Sequence, residues 1–269
     1  MTPPQAVIIE ALSLRLGKNS VLKEVSLSFP CRELVALVGP GSGGKTQLLK
    51  TIATLRKPTA GRMSLFGEVV DFRSNEQLNR VRARIGLQFQ NFALFDSLSV
   101  GENVAFPMAQ QESFSTQLIE ERVVSALEDV ELLDSRHKFP SELSGGMRRR
   151  VSIARVMALA PDLALFDDPV SGLDPVSSAR IMALLGTFAQ TRACLVIVAS
   201  HDLPRLLPVA TRVVAIFNGE IAFDGPTTTA LASTQEPLAS FLKAGMEHHG
   251  HPTATNTMGS PQQEAGHGR

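Results

Sequence analysis

One stretch near the N-terminus leaves this chain few architectures. Leu34-Val35-Ala36-Leu37-Val38 is an unbroken apolar run of strand length, and Gly39-Pro40-Gly41-Ser42-Gly43-Gly44-Lys45-Thr46 follows it directly. Beyond it, Leu48, Leu49, Ile52 and Leu55 recur at the spacing of one helix face. Strand, glycine turn and helix in that order supply the context that the phosphate-loop pattern G-x-x-x-x-G-K-[ST] needs. The glycines let main-chain N–H groups converge, and the helix N-terminus adds partial positive charge, so together they form an anion socket. Lys45 is placed to reach the β- and γ-phosphates of a nucleotide, and the Thr46 hydroxyl to ligate Mg²⁺. A glycine turn without a function would need neither flank. The stretch is read as a nucleoside-triphosphate site.

With 269 residues the chain can bury a full core in one large domain or two small ones. Lysine plus arginine equals aspartate plus glutamate, at 26 each, so there is no general nucleic-acid footprint. Cys31 and Cys194 lie far apart and each adjoins an apolar run, which suits reduced, small buried residues. No apolar run approaches the length of a membrane span, and Met1-Thr2-Pro3-Pro4 does not open a signal peptide. The expectation is a soluble chain that meets a membrane through a partner.

Leu12, Leu14 and Leu16 alternate with polar residues, as do Val25, Leu27 and Phe29, giving two half-buried strands joined around Gly17-Lys18-Asn19. A further strand pair starts at Gly61, and residues 85–89 form a strand ending at Gln90. From Asn91 the pattern turns helical, with Ile119, Val123, Leu127 and Val130 setting a helix over 112–130. Residues 91–161 are therefore read as a helical insertion. Strand signals return at Leu163-Ala164-Leu165-Phe166, which runs into Asp167-Asp168, and again over 195–199, followed by Ser200-His201-Asp202. Asp174-Pro175 is a cap with a first-turn proline, and Asn218-Gly219 marks a hairpin. The domain is placed at 1–245. Residues 246–269, rich in Gly, Pro, Thr, Gln and His, are expected to be disordered, with His248, His249 and His251 as adventitious metal binders at most.

Two acids at the end of a buried strand can complete a nucleotide site, with Asp167 in the magnesium shell and Asp168 polarising the attacking water. As an isolated feature they would read as a turn with solvated acids; beside a phosphate loop they do not. Leu143-Ser144-Gly145-Gly146-Met147 opens a helix that Ser144 can cap, its two glycines leaving the first N–H groups open to an anion. Read by itself, this is an ordinary capped helix.

Together these residues resemble an ATP-binding cassette (ABC) ATPase over nearly the whole chain. The order matches: Walker A over 39–46, the Q-loop glutamine at Gln90, the signature at Ser144, Gly145, Gly146 and Met147, Walker B over 163–167, the D-loop ending at Asp174, and the switch histidine at His201. The resemblance implies an α/β fold, a P-loop NTPase with a parallel core sheet, an N-terminal antiparallel β region and a helical subdomain. It implies ATP and Mg²⁺, with Thr46, Gln90 and Asp167 about the metal and Asp168, Gln90 and His201 catalytic. Nucleotide contacts are implied at Leu16 and at Gly39, Pro40, Gly41, Ser42, Gly43, Gly44, Lys45, Thr46 and Gln47. It further implies a head-to-tail dimer in which the signature helix caps the partner subunit's ATP, and a transmembrane permease docked by a groove near Phe92, Leu94 and Phe95. On the residues themselves, those three could equally be core packing.

Glu102-Asn103-Val104-Ala105-Phe106-Pro107, Met147 and Arg148-Arg149-Arg150-Val151 resemble the ATPases of MCE-type lipid transporters, the Mla system among them. That implies phospholipid or other hydrophobic cargo, an MCE-domain partner, and a cytoplasmic position on the inner face of the membrane. Without the resemblance, the three arginines read as a solvated helix face. Departures from the family are Leu16 where an aromatic usually stacks on adenine, Asp168 for the catalytic glutamate, Gly41 and Ser42 in swapped order, and Gln47 for threonine. The chain has no Tyr or Trp. They leave room for two rival readings: a catalytically weak regulatory subunit, and a soluble ABC protein acting on nucleic acid or ribosomes.

Overall fold

A computed structural model describes residues 5–89, 92–192 and 194–247. Two sheets build it. The first is antiparallel, ordered β2-β1-β4-β5, from β1 (Gln5–Leu16), β2 (Asn19–Pro30), β4 (Ala60–Leu65) and β5 (Glu68–Val69). The second has the order β10-β9-β3-β8-β7-β6, from β3 (Leu34–Val38), β6 (Ile85–Gln88), β7 (Leu163–Asp167), β8 (Leu195–Ala199), β9 (Arg212–Phe217) and β10 (Glu220–Pro226). All its neighbours pair parallel except the β9–β10 hairpin.

The uninterrupted apolar runs of this second sheet follow from its position between two cores. Val35, Leu37, Leu163, Leu165, Leu195, Ile197, Val214 and Ile216 face the antiparallel sheet and α1 (Lys45–Ile52). The alternate residues Ala36, Val38, Ala164, Phe166, Val196, Val198, Val213 and Ala215 face the helices on the other side. With both faces covered, period-2 alternation gives no polar face, as expected of parallel strands.

Among the described residues between β6 and β7 the regular structure is helical: α3 (Val100–Ala109), α4 (Thr116–Asp129) and α5 (Gly145–Leu159), with two short 3-10 turns. The fourth helix starts later than its apolar spacing indicates, because Ser115 caps it by accepting from the Leu118 N–H. Leu55 also departs from expectation. Ala53 ends α1, Thr54 turns left-handed at φ 60°, and Leu55 stands 47% exposed instead of extending the buried face. An unanticipated helix, α2 (Asn75–Arg82), is capped by Ser74. The remaining helices are α6 (Pro175–Thr191), α7 (Leu203–Leu206), α8 (Thr227–Leu231) and α9 (Leu238–Glu247). The last of these carries regular structure two residues past the expected domain end; His248, His249 and His251 lie outside the described residues.

Parallel pairing places the carboxyl ends of β3, β7 and β8 on one edge of the sheet. In open α/β sheets that edge is where ligands bind.

Candidate active site

The loop after β3 presses against β9. Gly39 has φ 141°, and a Cβ there would lie 2.1 Å from the Ile216 carbonyl oxygen; at Gly43 it would lie 2.8 Å from the same atom. Neither position admits a side chain without moving main chain. Gly41 and Ser42 are exposed, and a Cβ on Gly41 would meet nothing within 4 Å, so their swapped order is sterically free. Pro40 accepts from the Gly43 N–H at 3.0 Å and closes the turn. Gly44, left-handed at φ 106°, starts α1 without a side-chain cap, and no acid occupies the first turn. Those N–H groups and the helix dipole are thus left for an external anion.

Lys45 is buried, and its Nζ donates to the carbonyl oxygens of Gly39 (2.7 Å) and Pro40 (2.8 Å). Burial pulls this ammonium below its ordinary range, while the charges of Asp167 and Asp168 act to raise it. The Asp167 carboxyl is pushed up, chiefly by burial, against a lowering hydrogen bond from Thr46. Asp168 adds to the rise, and Lys50 and Lys45 offset it. A hydroxyl and a carboxylate in contact are the hard oxygen donors that Mg²⁺ takes together with waters and substrate phosphates. Among the described residues no three His, Cys, Asp or Glu side chains cluster. In the same helical turn, the buried Oε1 of Gln47 has no hydrogen-bond partner.

Asp168 follows β7 in the left-handed region at φ 53°. Its N–H donates to the Ala199 carbonyl at 2.7 Å, and its Oδ1 accepts from the Ser200 hydroxyl at 3.2 Å. Its carbonyl oxygen accepts from the Arg149 guanidinium. Ser200 also accepts from the Asp202 N–H at 3.1 Å, which shapes the turn carrying an exposed His201. Gln90 lies outside the described residues.

Ser144 caps α5 by accepting from the Met147 N–H, and Ser144 and Gly145 are exposed while Gly146 and Met147 are half-buried. A Cβ on Gly146 would lie 3.0 Å from Leu173 Cδ2, so signature and D-loop adjoin within one chain. Asp174 caps α6 by accepting from the Val176 and Ser177 N–H groups. Leu16 is half-buried against the core beneath the antiparallel sheet.

The three arginines do not form a solvated face. Arg149 is 8% exposed and lies over the Phe92 ring, 4.9 Å from its centroid, while Arg150 donates to the Val130 carbonyl at 2.9 Å. The apolar trio Phe92, Leu94 and Phe95 also separates. Phe92 lies under Arg149, Leu94 packs on the core, and Phe95 packs against Phe106 with centroids 4.5 Å apart and the rings tilted by 46°. Phe95, Phe106, Phe89, Leu87, Pro107 and Arg155 help line an apolar groove of about 330 Å³. Arg155 was not singled out in the sequence, and Asn103 was named there without its place under the loop that borders the groove. Arg155 donates to the Phe92 and Ala93 carbonyls at 2.9 and 2.7 Å, and buried Asn103 bonds the Phe95 N–H and the carbonyls of Phe95, Leu98 and Ser99. A charged residue inside the apolar run Ile153-Ala154-Arg155-Val156-Met157 was the available signal for the first.

A family profile described as "ABC transporter" matches residues 22–171. The chain belongs to the ABC transporter family. The cassette is 34% identical over 235 residues to the intermembrane phospholipid transport system ATP-binding protein MlaF of Haemophilus influenzae, covering 87% of this chain and 89% of that protein. It is 35% identical over 217 residues to the arginine transport ATP-binding protein ArtM of Bacillus subtilis, covering 81% and 90%. A solved dimeric structure of the ATP-binding cassette MJ0796 in a post-hydrolysis state with ADP and Pi superposes with TM-score 0.77 at 28% identity, covering 82% of this chain and 98% of that one. An ABC ATPase fold, ATP as ligand and its hydrolysis as the activity follow for this cassette.

Proposed function

We propose that this cassette hydrolyses ATP as one half of a head-to-tail dimer that drives a permease moving phospholipid or other hydrophobic cargo. The observation that carries the catalytic part is the convergence of Lys45, Thr46, Asp167 and Asp168 where β3 and β7 end beside an uncapped helix. Lys45 exchanges the Gly39 and Pro40 carbonyls for the terminal phosphates, and the loop N–H groups take the phosphate oxygens. Thr46 and Asp167 hold the metal shell, with Gln90 as a further oxygen donor. Mg²⁺, when bound, offsets charge on the phosphates. Asp168 accepts a proton from the attacking water, and His201 lies on the adjoining turn to contact the γ-phosphate. The exposed signature end of α5 offers N–H groups and Ser144 to the partner subunit's nucleotide, and Asp174 sits at that interface.

The apolar groove around Phe95 and Phe106 suits a permease segment, and the cassette then sits peripherally on the inner membrane face. Among the described residues no helix is long and apolar enough to cross a membrane. Identity does not choose the cargo, since MlaF and ArtM match at 34% and 35%. Met147, the arginines after it and the stretch 102–107 favour the lipid branch and an MCE-domain partner. The test is ATP hydrolysis and cargo transfer by the reconstituted transporter. Lys45→Ala and Asp168→Asn should each abolish hydrolysis, and the native complex should move labelled phospholipid between vesicles. Native-rate hydrolysis by Asp168→Asn would overturn the catalytic assignment, and ATP-driven arginine uptake without lipid transfer would overturn the cargo.

A further inference from the structure

Two arginines of one helix meet the main chain at three left-handed, non-glycine residues. Arg155 holds the carbonyls of Phe92 (φ 59°) and Ala93 (φ 48°), and Arg149 holds the carbonyl of Asp168 (φ 53°). Residues outside glycine reach this conformation at a cost and keep it where their surroundings hold them there. Arg149 does more than satisfy a carbonyl. Its guanidinium is nearly buried, in a run where a solvated charge would cost less, and its face lies on the Phe92 ring. One planar group therefore touches both the segment leading out of the apolar groove and the residue that carries the carboxylate. Ala199 at the end of β8 and Ser200 just past it fix Asp168 from one side, the Ser171 N–H reaches its carbonyl at 3.4 Å within the same turn, and Arg149 ties that carbonyl to the helical side.

We propose that Arg149 is a positioning residue for Asp168, and that it links the placement of this carboxylate to the placement of Phe92. The proposal rests on the reading of Asp168 as the catalytic carboxylate. A shift of Phe92 moves the guanidinium stacked on it, and with it the carbonyl that keeps the Asp168 turn in place. Lysine keeps the charge but not the planar fork, so it can serve one contact and not both.

The test uses the full chain in its purified transporter, with steady-state ATP hydrolysis of the native protein, Arg149→Gln, Arg149→Lys, Phe92→Leu, the Arg149→Gln/Phe92→Leu double variant and Asp168→Asn. Loss of one hydrogen bond from a charged group predicts a fall in kcat of about tenfold or more for Arg149→Gln, with KM for ATP little changed. Arg149→Lys should recover part of that loss. Phe92→Leu should lower kcat, and the double variant should be no worse than Arg149→Gln, because both act on one link. A native kcat in Arg149→Gln, a loss carried by KM, or additive losses in the double variant would overturn the proposal. If Arg149→Gln does not fold, a native kcat in Phe92→Leu overturns it. Asp168→Asn separates the two readings. At native rate it removes the catalytic assignment itself; inactive beside a native-rate Arg149→Gln, it removes this proposal and leaves that assignment standing.

Discussion

The Ser200 hydroxyl donates to Asp168 Oδ1 at 3.2 Å, so the turn after β8 holds the carboxylate at the end of β7. One carboxylate oxygen is thereby fixed. Ser200→Ala removes that restraint together with the Asp202 N–H bond that shapes the His201 turn. At about 1 kcal/mol for each hydrogen bond, kcat should fall roughly fivefold or more with KM for ATP unchanged. A change in KM with kcat intact would place Ser200 in binding instead.

On the reading in which a glutamate is usual at this position, the same carboxylate is one methylene shorter. Its φ of 53° and four hydrogen bonds, to Ala199 and from Ser171, Arg149 and Ser200, set where the oxygens can reach. If reach limits the native rate, Asp168→Glu should raise hydrolysis, by up to about 10²-fold, since about 1 Å of misplacement can cost that much. Turnover that falls in Asp168→Glu would show that the anchors have already set the shorter side chain correctly.

Asp167 gives a pH signature. Its carboxyl is raised by burial, so the folded chain holds the proton to higher pH than the unfolded chain does. Linkage then has a definite sign: this group stabilises the nucleotide-free fold at low pH, and that contribution is lost as pH rises through the raised folded value. In the proposed site, metal binding needs the carboxylate. Affinity for Mg²⁺-ATP should therefore weaken on acidification from above the usual aspartate range, and Asp167→Asn should abolish that pH dependence. The same variant should raise the Tm of the nucleotide-free chain at neutral pH, because it removes a half-buried charge. Calorimetry with and without nucleotide across pH checks both signs.

What the sequence disclosed and what it hid divide along a physical line. β3 and β7 were legible because burial on both faces leaves unbroken apolar runs, and the α6 start because Asp174 and Pro175 act locally. The Asn218-Gly219 turn was legible because both residues take positive φ, at 52° and 83°. The end of α1 was not, since a left-handed Thr54 breaks a pattern that Leu55 appears to continue. Nor was α2, whose eight residues bury Leu78 and Val81. In the site, Lys45 and Thr46 came from local pattern. The place of Arg149 did not, because its partners Phe92 and Asp168 are brought to it by strand order and not by spacing.

Gly39 tests the loop by stability as well as by activity. Its φ of 141° is outside what a side chain readily adopts, and a Cβ would overlap the Ile216 carbonyl at 2.1 Å. Gly39→Ala must move either the loop or β9, at a cost of about 1–3 kcal/mol in packing and strain. The Tm should fall by several degrees and ATP binding with it. Gly41→Ala, with open space around it, should leave Tm unchanged. Equal effects of the two would mean that the loop is not pinned against β9.

Phe95 offers a test of docking that spares the core. It is 43% exposed, packs at a tilt against Phe106, and has its N–H and carbonyl held by buried Asn103. A carboxylate at this position faces the groove and solvent, not the interior, so Phe95→Asp should keep the fold and shift Tm little. In an apolar contact with a partner, the same carboxylate would be buried without a counter-charge, at a cost large enough to prevent assembly. Phe95→Asp should therefore lose co-purification with the permease and keep ATP binding, read with a fluorescent nucleotide. Asn103→Ala should damage both, because it removes the acceptor for the Phe95 N–H and the NH2 shared among the Phe95, Leu98 and Ser99 carbonyls. Retained assembly in a folded Phe95→Asp variant would move the permease contact away from this groove.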